Sequence, residues 1–202
     1  MYIAGFIDDT NNSFSDYAYA LSEYDIELIC IDEKMSKHDI YEWILKNKIE
    51  FLFIDHKLNP KFDFVGTELL VYLNQRLPDM HFAILTSYKT DSLEDKLVPE
   101  AFTIDRKIFN EIDLSGLAEI IISYIEIFRN RLKLLVTKYE ELFDKGKSGC
   151  LTFDEEDELK YDFKILKSYG EVDEIPTDFL NQDVNKKLDK ILKDLDMVLK
   201  DD

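Results

Sequence analysis

Short apolar runs alternate with segments of helical periodicity through the first half of the chain. The apolar runs are rich in Ile, Phe and Leu and predict strands at residues 2–8, 26–31, 50–55, 81–86 and 101–105. They show little polar alternation, as expected for strands that are covered on both faces of a sheet. Helical patterns occupy residues 14–24, 37–48, 66–77 and 91–98, with a fifth beginning near residue 113. We therefore predict an α/β fold with a five-stranded parallel sheet, doubly wound by right-handed crossovers.

The fifth helical pattern is longer than a helix of a compact domain needs to be. From Leu114 to Phe143 the chain has no Pro, and its only Gly is Gly116, near the start. The uninterrupted apolar period predicts one helix of about 30 residues. Two more helices are predicted at residues 153–168 and 181–200, separated by a linker at 170–176. We accordingly divide the chain into a domain at 1–115 and an α-helical extension at 116–202.

Four of the predicted strands end in polar residues that are suited to bind phosphate and magnesium. These residues are Asp8 and Asp9 after the first strand, Asp55 after the third, Thr86 after the fourth, and Arg106 and Lys107 after the fifth. The carboxyl ends of parallel strands share one edge of the sheet, where open α/β folds place their ligands. Carboxylates can hold Mg²⁺ while water and a phosphate complete its octahedron. One carboxylate can then accept a phosphoryl group, whose oxygens a hydroxyl and a cation would bind.

In order and spacing, these residues resemble the receiver domain of response regulators in two-component phosphorelay systems. The resemblance covers about residues 1–115 and implies a flavodoxin-like strand order, 2-1-3-4-5. It implies that Asp8 and Asp9 are the acidic metal pair and that Asp55 is the phosphoacceptor. Lys57 would contribute its backbone carbonyl to Mg²⁺, and Thr86 would be the switch hydroxyl.

Two features depart from the pattern of that family. The loop between Asp55 and Gly66 is longer by a few residues, Lys61 to Phe64 among them. The family also has a single Lys directly after the fifth strand, whereas here either Arg106 or Lys107 can take that place. If it is Arg106, a planar fork replaces a flexible ammonium, and the two groups are not interchangeable.

A second motif, Asp144 to Glu155, admits two interpretations. It resembles one calcium loop of the EF-hand type, but Gly146 offers no side-chain oxygen at a position that normally supplies one. The same residues also predict a helix that ends at a glycine and a capping box, Thr152-x-x-Glu155, that begins the next helix. Capping needs no metal and is the favoured interpretation.

Charge and composition exclude some classes of function. The net charge is -18, from 43 acidic residues against 25 Lys and Arg, so affinity for nucleic acid is expected to be poor. The longest apolar stretch, Leu117 to Phe128, contains charged residues and is too short to span a bilayer. The two cysteines, Cys30 and Cys150, are predicted to be free thiols, and no secretory leader is recognised, so we expect a cytoplasmic protein. No catalytic triad or Gly-rich phosphate loop is found, and we expect no enzyme.

The resemblance implies a signalling protein that is phosphorylated on Asp55 with Mg²⁺ as cofactor. Its partners would be a histidine kinase or phosphotransfer protein and, through the helical tail, an effector protein or a second copy of the chain. Nucleic acid and membranes are not expected partners. Two alternatives remain open: a pseudo-receiver that is never phosphorylated and acts as an interaction subunit, and a calcium-responsive module.

Overall fold

A single parallel sheet organises the first part of the computed structural model, which describes residues 1–10, 12–87, 97–111 and 113–172. Its strands are β1 Tyr2–Ile7, β2 Ile26–Cys30, β3 Phe51–Asp55, β4 His81–Thr86 and β5 Thr103–Asp105. They are hydrogen-bonded in the order β2-β1-β3-β4-β5, and every neighbouring pair is parallel. The predicted fold class and strand order are confirmed.

Helices connect the first four strands as the alternating pattern predicts. The described helices are α1 Phe14–Ser22, α2 Lys37–Lys46, α3 Gly66–Asn74, α4 Ser115–Lys147 and α5 Phe153–Ser168. Most of the helix predicted at 91–98, most of the linker at 170–176 and all of the helix predicted at 181–200 lie outside the described residues. Among the described residues, no helix is long and apolar enough to cross a membrane.

The core lies where the central strands meet α1 and the first part of α4. Phe6, Phe53 and Leu85 on neighbouring strands are fully buried, and Leu117 and Ile121 of α4 pack into the same cluster. These residues follow the period of two in the strands and of 3.6 in the helix, which brings one face of each element onto the other. The apolar pattern therefore aligns the strands so that their carboxyl ends share one edge.

The chain divides into two compact units, Met1–Leu134 and Leu135–Asp202. The division predicted from sequence was placed between residues 115 and 116, where the long helix begins. The first unit extends further because Leu117, Ile121 and Ile125 on α4 are part of the sheet core. The helix itself has 33 residues and is unbroken, as its apolar period predicted.

The second unit contains the turn between α4 and α5, for which two interpretations were open. Gly149 has a φ of +72°, and Thr152 and Glu155 form a complete capping box at the start of α5. The capping prediction is confirmed. A calcium loop would have to begin at Asp144, which is a helical residue of α4 whose carboxylate pairs with Lys147.

Candidate functional site

Three carboxylates converge at the carboxyl edge of the sheet. Asp8 directly follows β1 and is 1% exposed, whereas Asp55 is the last residue of β3 and is 9% exposed. One oxygen each of Asp8, Asp9 and Asp55 lies within 4.8 Å of the others, and no other such group of His, Cys, Asp and Glu occurs in the described ranges. Carboxylate oxygens at this spacing are a donor set that fits Mg²⁺, which is usually held by one or two carboxylates plus waters.

A partly buried cation already bridges two of these carboxylates. Arg106 lies directly after β5, and its Nη1 donates to Asp8 Oδ2 at 2.8 Å. Its Nη2 lies 2.8 Å from Asp55 Oδ1, so the two branches of one guanidinium contact two different acids. The Arg106 side chain is 20% exposed, which limits solvent screening of both ion pairs.

A short 3₁₀ helix, Arg106–Asn110, decides which of the two adjacent cations faces the acids. The side chain of Asp105 caps this helix by accepting a hydrogen bond from the backbone N–H of Lys107 at 2.9 Å. In this turn Arg106 is directed to the carboxylates, whereas Lys107 is exposed. The structure thus brings Arg106 together with Asp8, Asp9 and Asp55 and leaves Lys107 outside the cluster.

The remaining predicted residues lie along the same edge. Thr86 is the last residue of β4, is 2% exposed and pairs in register with Asp105 of β5. Lys57 follows Asp55 by two residues and is exposed in the loop after β3. Their roles as switch hydroxyl and carbonyl ligand stay predictions.

The electrostatics of the cluster differ from one acid to the next. Burial is the largest influence on Asp8, but its contacts with Asp9, Arg106 and the Thr10 N–H outweigh it, so the pKa of Asp8 is lowered. Burial and the neighbouring Asp8 raise the pKa of Asp9. The pKa of Asp55 is raised to about 6 because burial, aided by repulsion from Asp8, exceeds the opposing effect of Arg106. Asp55 is therefore mainly ionised at neutral pH while remaining poorly solvated.

The long loop after Asp55 is packed at both of its ends. Leu58 and Phe62 are fully buried, and the Phe62 N–H donates to the Leu58 carbonyl at 2.9 Å. At the far end, the Gly66 N–H donates to the His56 carbonyl at 2.9 Å. A β-carbon on Gly66 would lie 2.1 Å from the Asp55 carbonyl oxygen, so only glycine fits where α3 begins. The loop is thereby anchored against the end of β3.

Sequence reasoning noted Lys61 only as part of the longer loop and gave it no role. Its Nζ donates to the carbonyl of Ile31 at 3.0 Å and to the carbonyl of Asp8 at 3.4 Å. Lys61 therefore ties the loop to the ends of β2 and β1, next to the acidic pair. The only signal in the sequence is the apolar spacing of Leu58, Phe62 and Phe64, which indicates a packed loop but not the direction of the lysine between them.

Comparisons with known proteins give similar folds but no sequence relative. No protein-family model and no curated protein matches the sequence. A response regulator receiver domain protein from Clostridium thermocellum has a TM-score of 0.49 at 21% identity, with 67% of this chain and 99% of that chain covered. The response regulator TrrA from Thermotoga maritima, solved in complex with Mg²⁺-BeF, has a TM-score of 0.48 at 15% identity, covering 61% of this chain and 99% of that one.

A longer structure gives a similar match. NtrX from Brucella abortus has a TM-score of 0.50 at 13% identity, and the match covers 68% of this chain but only 30% of NtrX. The strand order β2-β1-β3-β4-β5 agrees with this likeness. The N-terminal part of the chain has the fold of a response-regulator receiver domain.

Proposed function

We propose that this chain is a response-regulator-like signalling protein whose Asp55 accepts a phosphoryl group with Mg²⁺ bound by Asp8 and Asp9. The observation that carries the proposal is the convergence of three carboxylates at the edge where β1 and β3 end. Acids scattered over a surface would be exposed, whereas Asp8 is only 1% exposed and Asp55 only 9% exposed. Groups this buried keep their charge only when a cation compensates it.

In the proposed reaction, a carboxylate oxygen of Asp55 attacks the phosphorus of a phosphohistidine or a small acyl phosphate. A bond forms between that oxygen and phosphorus, and the bond from phosphorus to the donor atom breaks with its electron pair leaving on the donor. Bound Mg²⁺ would neutralise negative charge between the incoming phosphoryl group and the acids. The ionised state of Asp55 at neutral pH suits it to this role, since its pKa is about 6.

The residues around Asp55 would then hold the transferred group. Arg106, now within 2.8 Å of Asp55, is placed to bind phosphoryl oxygens by charge-assisted hydrogen bonds. Thr86 ends the neighbouring strand, so its hydroxyl is a suitable second donor. The Lys57 backbone carbonyl would complete the metal ligands. The phosphoryl donor would be a histidine kinase or a phosphotransfer protein.

We propose that the output passes through protein contacts and not through DNA or a reaction of its own. The net charge of -18 opposes binding to phosphate backbones. α4 starts in the first unit, where Leu117 and Ile121 pack in the sheet core, and continues to Lys147. Repacking of that core on phosphorylation can shift a helix that continues into the tail. The partner would be an effector protein or a second copy of the chain.

The experiment is a phosphotransfer reaction whose product is measured by intact-protein mass spectrometry. The full chain is incubated with acetyl phosphate and Mg²⁺, and the expected product is heavier by one phosphoryl group. Asp55→Asn should give no adduct, whereas Asp63→Asn, at an exposed acid that pairs with Lys34 and lies outside the carboxylate cluster, should still be modified. Absence of an adduct on the wild type, together with no spectral change on adding beryllofluoride with Mg²⁺, would disprove the proposal.

A second candidate is a pseudo-receiver that is never phosphorylated and serves as an interaction subunit. The observation that favours it is the Arg106 fork, which pairs with both Asp8 and Asp55 from within the chain. It predicts that Asp55→Ala retains full partner binding and that neither acetyl phosphate nor beryllofluoride changes the protein. Comparing partner capture by wild type and Asp55→Ala separates the two candidates. If phosphorylation acts as a switch, acetyl phosphate changes partner capture by the wild type and not by Asp55→Ala.

A further inference from the structure

The guanidinium of Arg106 contacts the same carboxylates that would coordinate a metal ion. Nη1 contacts Asp8 Oδ2 and Nη2 contacts Asp55 Oδ1, both at 2.8 Å. The other oxygen of Asp8 accepts a hydrogen bond from the Thr10 N–H at 3.2 Å. Both oxygens of Asp8, the most buried acid, are therefore engaged by groups of the chain, and a divalent ion that binds there either shares this carboxylate with the Arg106 guanidinium or displaces it.

Electrostatic repulsion also opposes binding of Mg²⁺ to Asp8 and Asp55 while the Arg106 guanidinium is in place. The Asp8 side chain is 1% exposed and that of Asp55 is 12% exposed, so little water separates charges placed between them. A guanidinium and Mg²⁺ on adjacent oxygens of such carboxylates would repel each other with weak screening. In addition, the fork is planar and preorganised, so it loses less side-chain entropy for each hydrogen bond than a flexible ammonium does.

We propose that Arg106 is an internal competitor of the metal ion, holding Asp8 and Asp55 in a closed state that Mg²⁺ must open. This inference rests on the proposed function in taking Mg²⁺ as the ligand of the acids. When the ion displaces Arg106 from the carboxylates, the guanidinium becomes free to bind other oxygens. The phosphoryl group would supply such oxygens at the same edge of the sheet. Arg106 thus lowers the affinity for the metal alone and favours binding of metal and phosphoryl group together.

The test is a titration with MgCl₂ at pH 8, where the carboxylates are ionised, followed by calorimetry on the full chain. Arg106→Gln removes the competitor, and because one charge-assisted hydrogen bond shifts an equilibrium by about tenfold, affinity should rise by about tenfold or more. Arg106→Lys, which keeps the positive charge but loses the rigid fork, should give an intermediate value. Arg129→Gln is the matched control, since it removes a fork from Glu50, outside the carboxylate cluster, and should leave affinity within about twofold.

Thermal unfolding supplies a second reading that does not depend on any activity. In chelator, Arg106→Gln should unfold at a lower temperature than the wild type, because three carboxylates are left facing one another. Saturating Mg²⁺ should raise its midpoint by more than it raises that of the wild type, since ligand binding stabilises in proportion to the logarithm of the affinity. If Arg106→Gln does not fold in chelator, Arg106→Lys must still show the same order of affinities.

The outcomes separate this inference from the proposed function. Equal or weaker Mg²⁺ binding by both Arg106 variants overturns the competition, even if the wild type is phosphorylated. Failure of the wild type to bind Mg²⁺ or accept a phosphoryl group, with tight binding by Arg106→Gln, overturns the proposed function and supports the competition. If no variant binds Mg²⁺, both are overturned.

Discussion

The close approach of Gly66 to the end of β3 permits a quantitative prediction for Gly66→Ala. An alanine β-carbon would lie 2.1 Å from the Asp55 carbonyl oxygen and 2.9 Å from its carbonyl carbon. An ordinary contact needs about 3.5 Å, so the end of β3 and the start of α3 would have to separate by roughly 1.4 Å. The carbonyl group of Asp55 belongs to the backbone of β3, and Gly66 belongs to the backbone of α3. Neither backbone can move without disturbing its hydrogen bonds.

The expected cost is about 3 kcal/mol. Overpacking in a filled core costs about 1–3 kcal/mol, and a rigid backbone neighbour places this site at the upper end. The Gly66 N–H would also be displaced from the His56 carbonyl, which it now meets at 2.9 Å. With a denaturant slope of about 2 kcal/mol per molar urea, the midpoint of unfolding should fall by about 1.5 M.

The assay is urea unfolding followed by tryptophan fluorescence. Trp43 is the only tryptophan of the chain and lies on α2, so the signal reports the first unit. Gly116→Ala is the control, because an added β-carbon there has no atom within 4 Å, and it should leave stability unchanged or raise it by up to about 1 kcal/mol. A Gly66→Ala midpoint within about 0.2 M of the wild type would refute the packing of α3 on Asp55.

Two further predictions concern the ionisation of Asp55 and the start of α5. The folded-state pKa of Asp55 is about 6 against an ordinary value of 3.8, so its ionisation destabilises the metal-free protein as the pH rises from 4 through 6. In chelator, Asp55→Asn should therefore gain stability over the wild type by at most about 3 kcal/mol between pH 4 and pH 7, and a pH-independent difference would contradict this. Thr152→Ala removes the capping box and should cost α5 about 1 kcal/mol, seen as faster amide exchange in that helix, whereas Thr152→Ser should be close to wild type. Unchanged exchange in Thr152→Ala would show that the cap does not stabilise the helix.

Strand positions were predictable because strands that are buried on both faces leave a strong signal. The predicted and observed bounds agree for His81–Thr86 and differ by one residue at most at either end of the first three strands. At the fifth strand the apolar run starts at residue 101, but Glu100–Phe102 form a 3₁₀ turn and Phe102 is 37% exposed. Apolar composition alone does not distinguish a turn from a strand, because a strand is defined by its backbone hydrogen bonds to the neighbouring strand.

The end of α3 shows the same limit. The apolar period continues to Leu77, which is fully buried, yet the helix ends at Asn74. The Leu77 N–H still donates to the Leu73 carbonyl at 2.8 Å, but as part of a turn after the helix. A buried leucine keeps its apolar signature in a turn as well as in a helix, and the sequence pattern therefore extends the helix by one turn.

At the site, the acids could be grouped from sequence, because parallel strands deliver their carboxyl ends to one edge. The choice between Arg106 and Lys107 could not be made in that way. Both are cations directly after β5, and only the 3₁₀ turn capped by Asp105 separates their directions. The contacts of Lys61 with two strand-end carbonyls likewise depend on how a loop folds, which no periodicity encodes.

By itself the sequence determined the class of fold, the unbroken long helix, the cap before α5 and the placement of Asp8, Asp55 and Thr86 at one edge. These follow from local periodicity and from the geometry that all parallel sheets share. Only the tertiary structure decided that one guanidinium bridges Asp8 and Asp55. It also decided that α4 is shared between two units. Such features arise from side-chain directions and long-range packing, and each joins residues that lie far apart in the chain.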